Sequence, residues 1–171
     1  MDVLDPVRRF DLWYMPVSGP STGKPQPYLQ TESNESNAQL SPDGRWIAYQ
    51  TGEAGAPAVF VRPFPDAAAG KWRVPGPEGS GAPKWREDGR ELIFMGNTGQ
   101  SVIAVPVKAT GPTPEFGAPE TLFTIGRVGR SFDMTPDAQR FLVSMRATDV
   151  HGETPLTVVI NWPKLQNRSR R

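Results

Sequence analysis

The sequence predicts an all-β fold built from repeated four-stranded antiparallel units. Three observations predict it: β-prone segments recur at a nearly constant spacing, clusters of Gly and Pro separate them, and no segment has an apolar pattern of helical period. Of the 171 residues, 17 are Gly and 19 are Pro, which is typical of many short strands joined by tight turns. Because the apolar residues occur in short β-prone bursts between these clusters, the composition does not indicate a disordered chain.

The clearest repeat is a turn that contains Asp43 and Gly44. It recurs with Asp88 and Gly89 and, with Ala in the Gly position, with Asp137, so that successive aspartates are 45 and 49 residues apart. A period of roughly 40–50 residues is typical of the four-stranded blades of a β-propeller. An Asp oxygen accepts hydrogen bonds from backbone N–H groups just ahead, and Gly takes a positive φ without a Cβ clash. We therefore interpret these five residues as structural turns of hairpins, with the third turn strained or differently shaped.

The residues around each turn complete the pattern. Large apolar side chains lie four and six residues after each Asp, on one face of a strand. Another lies fourteen residues before each Asp, in short β-prone segments near residues 27–31, 72–74 and 121–125 that we expect to form the first strand of each unit. A Pro recurs in the last strand of a unit, at Pro63 and Pro106, and we expect that strand at the outer edge of each blade because Pro donates no ladder hydrogen bond. The predicted elements are one orphan outer strand at residues 10–18, three blades at about 26–65, 71–108 and 119–163 within a partial propeller over 1–163, and a basic tail at 164–171. The third blade is expected to end with a strand at residues 156–162.

The stretch from Leu40 to Tyr49, LSPDGRWIAY, resembles the signature of TolB-like, WD-repeat-like propeller blades. Further stretches, among them residues 11–17, 61–65 and 157–162, extend the resemblance to the C-terminal propeller blades attached to bacterial serine/threonine protein kinases. The resemblance covers residues 10–163 and implies a propeller that acts as a sensor or protein-interaction domain. The sequence has neither kinase motifs nor the nucleophile elbow of prolyl-oligopeptidase-type hydrolases, so the resemblance transfers no catalytic residue.

Composition excludes several kinds of site. The chain has no Cys, which excludes disulfides and thiolate ligands, and its single His, His151, lies in a polar loop without partners for a metal site or a catalytic triad. We expect no catalytic residue, no cofactor and no bound metal. The 19 Lys and Arg nearly balance the 18 Asp and Glu, so no overall field attracts nucleic acid or a membrane surface. No signal peptide or transmembrane segment is recognisable, and the compartment, periplasm or cytoplasm of a bacterium, stays open.

Three residues are candidates for interaction. Trp46 follows a turn, and we expect it to be partly exposed, whereas Trp72 and Trp85 occupy repeat-equivalent positions typical of core or inter-blade packing. Arg86 and Asp133 lie near hairpins that we place toward the mouth of the central channel, where propellers usually bind ligands.

The predicted ring is incomplete. Propellers close with four to eight blades, and the pattern supplies three blades and one strand. Uncovering several large apolar side chains at ~1.5–3 kcal/mol each would cancel a normal stability. We therefore expect completion by another protein chain, by blades outside this segment, or by a second copy that gives a six-bladed homodimer, in which the orphan strand adds to, displaces or lies free of the partner's last strand. The predicted function is a non-catalytic interaction or scaffold module. The alternatives are an accessory part of an enzyme whose kinase or hydrolase domain lies elsewhere, and a pure assembly element.

Overall fold

The computed structural model of the protein describes residues 10–53, 55–125 and 129–145. Within these ranges it consists of antiparallel β-strands and two single 3₁₀ turns, which confirms the all-β prediction. No helix in the described ranges is long and apolar enough to cross a membrane. His151, the predicted last strand of the third unit and the basic tail lie outside the described residues.

The strands are short and follow one another through tight turns. In chain order they are β1 (Leu12–Tyr14), β2 (Gln26–Leu29), β3 (Glu35–Leu40), β4 (Trp46–Thr51), β5 (Ala58–Pro63), β6 (Trp72–Arg73), β7 (Gly81–Trp85), β8 (Glu91–Gly96), β9 (Ser101–Lys108), β10 (Glu115–Phe116), β11 (Glu120–Thr124), β12 (Gly129–Met134) and β13 (Phe141–Met145).

Two complete four-stranded meanders form the centre of the structure. Blade 1 has the strand order β3-β4-β5-β6, and blade 2 has the order β7-β8-β9-β11. The short strand β10 pairs with the end of β9, beyond the stretch that pairs with β11. Each end of the stack has a two-stranded sheet. We call β1-β2 the N-terminal half-blade and β12-β13 the C-terminal half-blade.

The hydrogen bonding shifts the predicted strand grouping by one strand. The short segments near residues 27–31, 72–74 and 121–125, expected as the first strand of each unit, pair instead with the strand before them, as β6 pairs with β5. The predicted blades at 26–65, 71–108 and 119–163 are corrected accordingly at their starts and at the first two ends, whereas the end at residue 163 lies outside the described residues. The segment 10–18 is no orphan either, because β1 pairs with β2. A repeat period fixes the spacing of strands but leaves open where one blade ends.

The recurrent Pro is also placed differently from the prediction. Pro63 and Pro106 lie in the third strand of their blades, not in the outer edge strand. Pro106 lies between the stretch of β9 that pairs with β11 and the stretch that pairs with β10. The outer strand is interrupted there, so the missing N–H of Pro106 costs no ladder hydrogen bond.

Apolar layers between successive sheets hold the stack together. One layer joins blades 1 and 2, a second joins blade 2 to the C-terminal half-blade, and a third joins the N-terminal half-blade to blade 1. In β5, for example, Val59 and Val61 face blade 2 while Phe60 faces the N-terminal half-blade. Alternation along each strand thus supplies two apolar faces, as stacked blades require. The described sheets form an open propeller fragment, because no sheet joins the two ends.

The three turns have the predicted geometry. Asp43 Oδ1 accepts from the Arg45 N–H at 3.1 Å, and the second and third turns repeat this bond at 3.0 Å. Gly44 and Gly89 have φ of 70° and 68°. Ala138 has φ of 55°, so the third turn keeps its shape and places an L-residue in the left-handed region. Of the two expected outcomes, the strained turn is the one observed.

Replacing Gly44 by Ala tests this role of the turn. A Cβ at Gly44 would meet no atom within 4 Å, so the cost is the left-handed backbone alone, about 1–2 kcal/mol of unfolding free energy. Gly52→Ala is the matched control, because Gly52 has equally open space and no positive φ. Urea denaturation of both variants measures the difference. Equal stabilities of the two variants would contradict the turn assignment.

Candidate functional site

A cleft of about 480 Å³ lies between blades 1 and 2, at the end where their Asp-Gly turns project. Its walls come from both turns and from the segment that follows β9. Trp46 and Trp85 form its floor, and Arg45, Arg90 and Lys108 are at its rim. The strands of the two hairpins pack against each other, whereas the turns at their ends project beyond this packed layer. The space between the projecting turns is the cleft.

Trp46 is buried, which corrects the expectation that it is partly exposed. Only 4% of its surface is accessible, and its ring meets the edge of Trp72 at a centroid distance of 5.7 Å. Its Nε1–H donates to the Ala109 carbonyl at 3.3 Å. Trp46 lies on the face of β4 that packs against blade 2, and a neighbouring blade is invisible to local sequence reasoning. Trp85 is buried, as expected for inter-blade packing.

The three cations at the rim of the cleft differ in their ion pairs and hydrogen bonds. Arg45 pairs with Asp43 at 2.8 Å and donates to the Ala109 carbonyl at 2.6 Å, which ties blade 1 to blade 2. Lys108 pairs with the exposed Glu115 at 3.4 Å. The Arg90 guanidinium has no ion pair or hydrogen bond with the described residues. Arg90 therefore presents a positive charge at the rim that could accept an acidic group of a bound protein.

Arg86 acts as part of its own turn. Its guanidinium donates to both oxygens of Asp88, at 2.9 and 2.6 Å, and to Glu91 at 2.5 Å. In the first turn a hydroxyl takes the place of this guanidinium: the Ser41 hydroxyl donates to Asp43 Oδ1 at 2.6 Å. The hydrogen bond from the Arg86 guanidinium lowers the pKa of Asp88, slight burial raises it, and the hydrogen bond from the Arg90 N–H lowers it further. The resulting pKa of Asp88 is about 2. The Arg86 side chain is therefore held within its own turn, and it does not line the cleft.

This pKa gives a pH prediction for the turn. Because the folded-state pKa of Asp88 lies below the unfolded value of about 3.9, its ionised form stabilises the fold above about pH 4, and this contribution is lost as the pH falls through 2. We expect Asp88→Asn to be less stable than the parent by a constant margin above about pH 5, with the margin shrinking toward pH 2. Denaturation of both proteins across this range measures it. A margin independent of pH would contradict the assignment.

A second, smaller surface lies on the inner side of the stack. A depression of about 260 Å³ is lined by the first strands of the blades, β3, β7 and β12. Asp133 lies beside it, largely exposed, and pairs with Lys84 at 3.1 Å across the boundary between blade 2 and the C-terminal half-blade. Lys84 lowers the pKa of the Asp133 carboxyl. The structure places Asp133 near these inner strands and Arg86 in a turn, so the two do not form one site.

Sequence reasoning missed a buried carboxyl group, Glu35. Its side chain is 1% exposed; Oε1 accepts a hydrogen bond from the Thr31 hydroxyl, whereas Oε2 and the nearby Thr51 Oγ1 have no partner among the described residues. Burial raises the pKa of Glu35, the Thr31 bond opposes this, Asp11 and Glu53 raise it further, and Lys71 lowers it. No local signal in the sequence marks this position, because Glu35 begins an ordinary strand.

The outward face of the N-terminal half-blade is apolar and largely exposed in the part of the chain that the structure describes. Trp13, Met15 and Val17 are 53%, 56% and 90% exposed. Their repeat equivalents in blade 2 are Ile103, Val105 and Val107, which are 3%, 0% and 6% exposed because blade 1 covers them. The exposed row therefore has the character of a blade face that has no neighbouring sheet among the described residues.

Fold and surface together define a segment of a β-propeller. No family model matches the sequence, and no curated protein matches it. Among solved structures, TolB from Acinetobacter baumannii is similar at 18% identity and a TM-score of 0.49, over 71% of this chain and 29% of that chain. The chain thus spans less than a third of that structure's length. The assignment of the fold rests on strand pairing and stacking.

Proposed function

We propose that this chain is a non-catalytic β-propeller segment whose function is to bind protein. The observation that carries the proposal is the exposed row of Trp13, Met15 and Val17, which occupies positions that are buried between complete blades. An apolar face of this kind is typical of a protein–protein contact. The protein that covers it is a second copy or another chain with propeller blades.

The side chains of the cleft support a binding role rather than a catalytic one. Asp43 and Asp88 accept hydrogen bonds within their own turns and pair with Arg45 and Arg86. Carboxylates held in this way stabilise the turns and stay ionised, so they are poorly suited to proton transfer near neutral pH. Arg90 remains available at the rim, where it would contact an acidic group of a bound protein.

A narrower form of the proposal comes from the sequence resemblance. If the segment belongs to a kinase-attached propeller, its role is that of a sensor, and the cleft and the inner depression are where it would bind its signal. A kinase reading frame joined to this segment supports the narrower form, and its absence from the gene leaves the protein-binding proposal as stated above.

Trp13→Asp tests the proposal. The substitution places a charge on the exposed row, and Thr121→Asp places the same charge on an exposed position of β11 in the complete blade 2. We expect the parent and Thr121→Asp to sediment as assemblies heavier than the 18.8 kDa chain. We expect Trp13→Asp to dissociate on the order of thirtyfold more readily, as for a buried aromatic contact worth about 2 kcal/mol. A folded parent that stays monomeric at every concentration, or a Trp13→Asp variant that associates as tightly as the parent, would contradict self-association through this row and leave only a different protein to cover it.

A further inference from the structure

We propose that the two half-blades form one shared blade: the C-terminal half-blade of one chain pairs with the N-terminal half-blade of a second copy, and two chains close a six-bladed ring. The inference rests on the proposed function, because it names the protein that covers the exposed row. It also assigns a strand edge to each half-blade.

The strand inventory of the half-blades is complementary. The pair Leu12–Leu29 between β1 and β2 matches the pair Val102–Phe123 between β9 and β11, so β1 and β2 are the third and fourth strands of a blade. The pair Met134–Phe141 between β12 and β13 matches Leu40–Ile47 between β3 and β4, so these are first and second strands. Among the described residues, β1 has no inner neighbour and β13 has no outer one. Joined through these two edges, the half-blades make one complete four-stranded blade.

The complete blades fix the register of this junction. In blade 1 the second and third strands place Ala48 opposite Val61, and in blade 2 they place Ile93 opposite Ala104. The equivalent positions in the half-blades are Leu142 in β13 and Tyr14 in β1. Leu142 of one chain therefore lies opposite Tyr14 of the other.

The same junction covers the exposed apolar side chains at both ends. Leu142 is 59% exposed, although its equivalents Ala48 and Ile93 are buried. In the shared blade, Leu142 and Tyr14 lie on the face that packs against blade 1 of one chain. Trp13 lies on the opposite face, which packs against blade 2 of the other chain. Leu40, also exposed, corresponds to the buried Trp85, which contacts the first strand of the preceding blade through Gln39. One arrangement thus accounts for exposure at opposite ends of the stack.

Blade number favours a second copy over closure within one chain. The N-terminal half-blade packs on blade 1 and the C-terminal half-blade packs on blade 2, so they lie at opposite ends of the stack. Joining them within one chain would give three blades, fewer than the four to eight of known rings, whereas two chains give six. The strand expected from sequence at residues 156–162 is the rival occupant of the β13 edge. That rival would leave the inner edge of β1 without a partner.

Single-cysteine variants test the register, since the chain has no Cys of its own. Leu142→Cys and Tyr14→Cys are refolded separately and mixed, and a short thiol-to-thiol cross-linker is added. We expect a covalent dimer in the mixture and none with either variant alone. Trp13→Cys mixed with Leu142→Cys is the control, because Trp13 points to the other face of β1. Leu12→Cys with Ser144→Cys is a second pair from the same register, for use if Tyr14→Cys does not fold.

The outcomes separate the two proposals. Cross-linking of the matched pairs, with little in the control, supports the shared blade. Association without cross-linking of either matched pair overturns the shared blade and leaves the protein-binding proposal standing. That result includes the case in which residues 156–162 occupy the β13 edge. A monomer that neither associates nor cross-links overturns the shared blade and also excludes a second copy as the protein that covers the exposed row.

Discussion

Phe94→Ala is expected to lower the free energy of unfolding by about 3–5 kcal/mol, the usual cost of removing a fully buried aromatic side chain. Phe94 has no accessible surface and lies in the layer between blades 1 and 2. Its ring is so close to Gly76 that a Cβ there would approach within 2.9 Å. Because the ring is packed this closely, its removal leaves a cavity that the surrounding residues fill only partly.

Phe116→Ala is the control for this prediction. Phe116 packs against the same layer but is only partly buried, so its loss should cost less than half as much. Because the layer joins the two blades, urea unfolding of the parent and both variants should follow a single transition for blades 1 and 2. A loss below about 1 kcal/mol for Phe94→Ala, or separate transitions for the two blades, would contradict this description of the core.

Glu35→Gln is expected to stabilise the protein at alkaline pH. Burial raises the folded-state pKa of Glu35 above its unfolded value of about 4.3. The stability that the protonated carboxyl contributes is therefore fully present below the unfolded pKa and is lost as the pH rises through the folded pKa. Gln keeps the acceptor for Thr31 and carries no charge. We expect a gain of about 1–3 kcal/mol at pH 8, the scale of relieving an unsatisfied buried group, and no gain near pH 4.

Glu115→Gln is the matched control for the buried carboxyl. Glu115 is exposed and pairs with Lys108, so its replacement should leave stability unchanged or slightly lower at pH 8. Thermal melting at both pH values compares the two variants. A Glu35→Gln protein that is less stable than the parent at pH 8 would show that the carboxylate is stabilised by contacts beyond those described.

The sequence predicts the repeated features of this fold well, because each rests on local chemistry. The hydrogen bonds of Asp43, Asp88 and Asp137 within their turns need only residues within two positions of the Asp, and these turns have the expected geometry. The two apolar faces of β5 likewise follow from the order of adjacent residues, because successive side chains point to opposite faces of a strand.

Features that depend on contacts with other blades could not be predicted from the local sequence. Whether the strand at Trp72–Arg73 belongs to the preceding or the following blade depends on which edge it reaches in space. Trp46 is buried by a blade that begins 35 residues later, at Gly81. The buried state of Glu35 comes from the packing of strands that no motif announces. The exposed row of Trp13, Met15 and Val17 could be anticipated only as a consequence of an incomplete ring.

Amide hydrogen exchange of the parent at increasing protein concentration tests the central claim, that the free edges of the half-blades are paired by another copy. The account predicts that the amides of β1 and β13 become protected together as the concentration rises into the micromolar range, while blades 1 and 2 are protected throughout. Exchange at β1 and β13 that stays independent of concentration, with the blades intact, would contradict it.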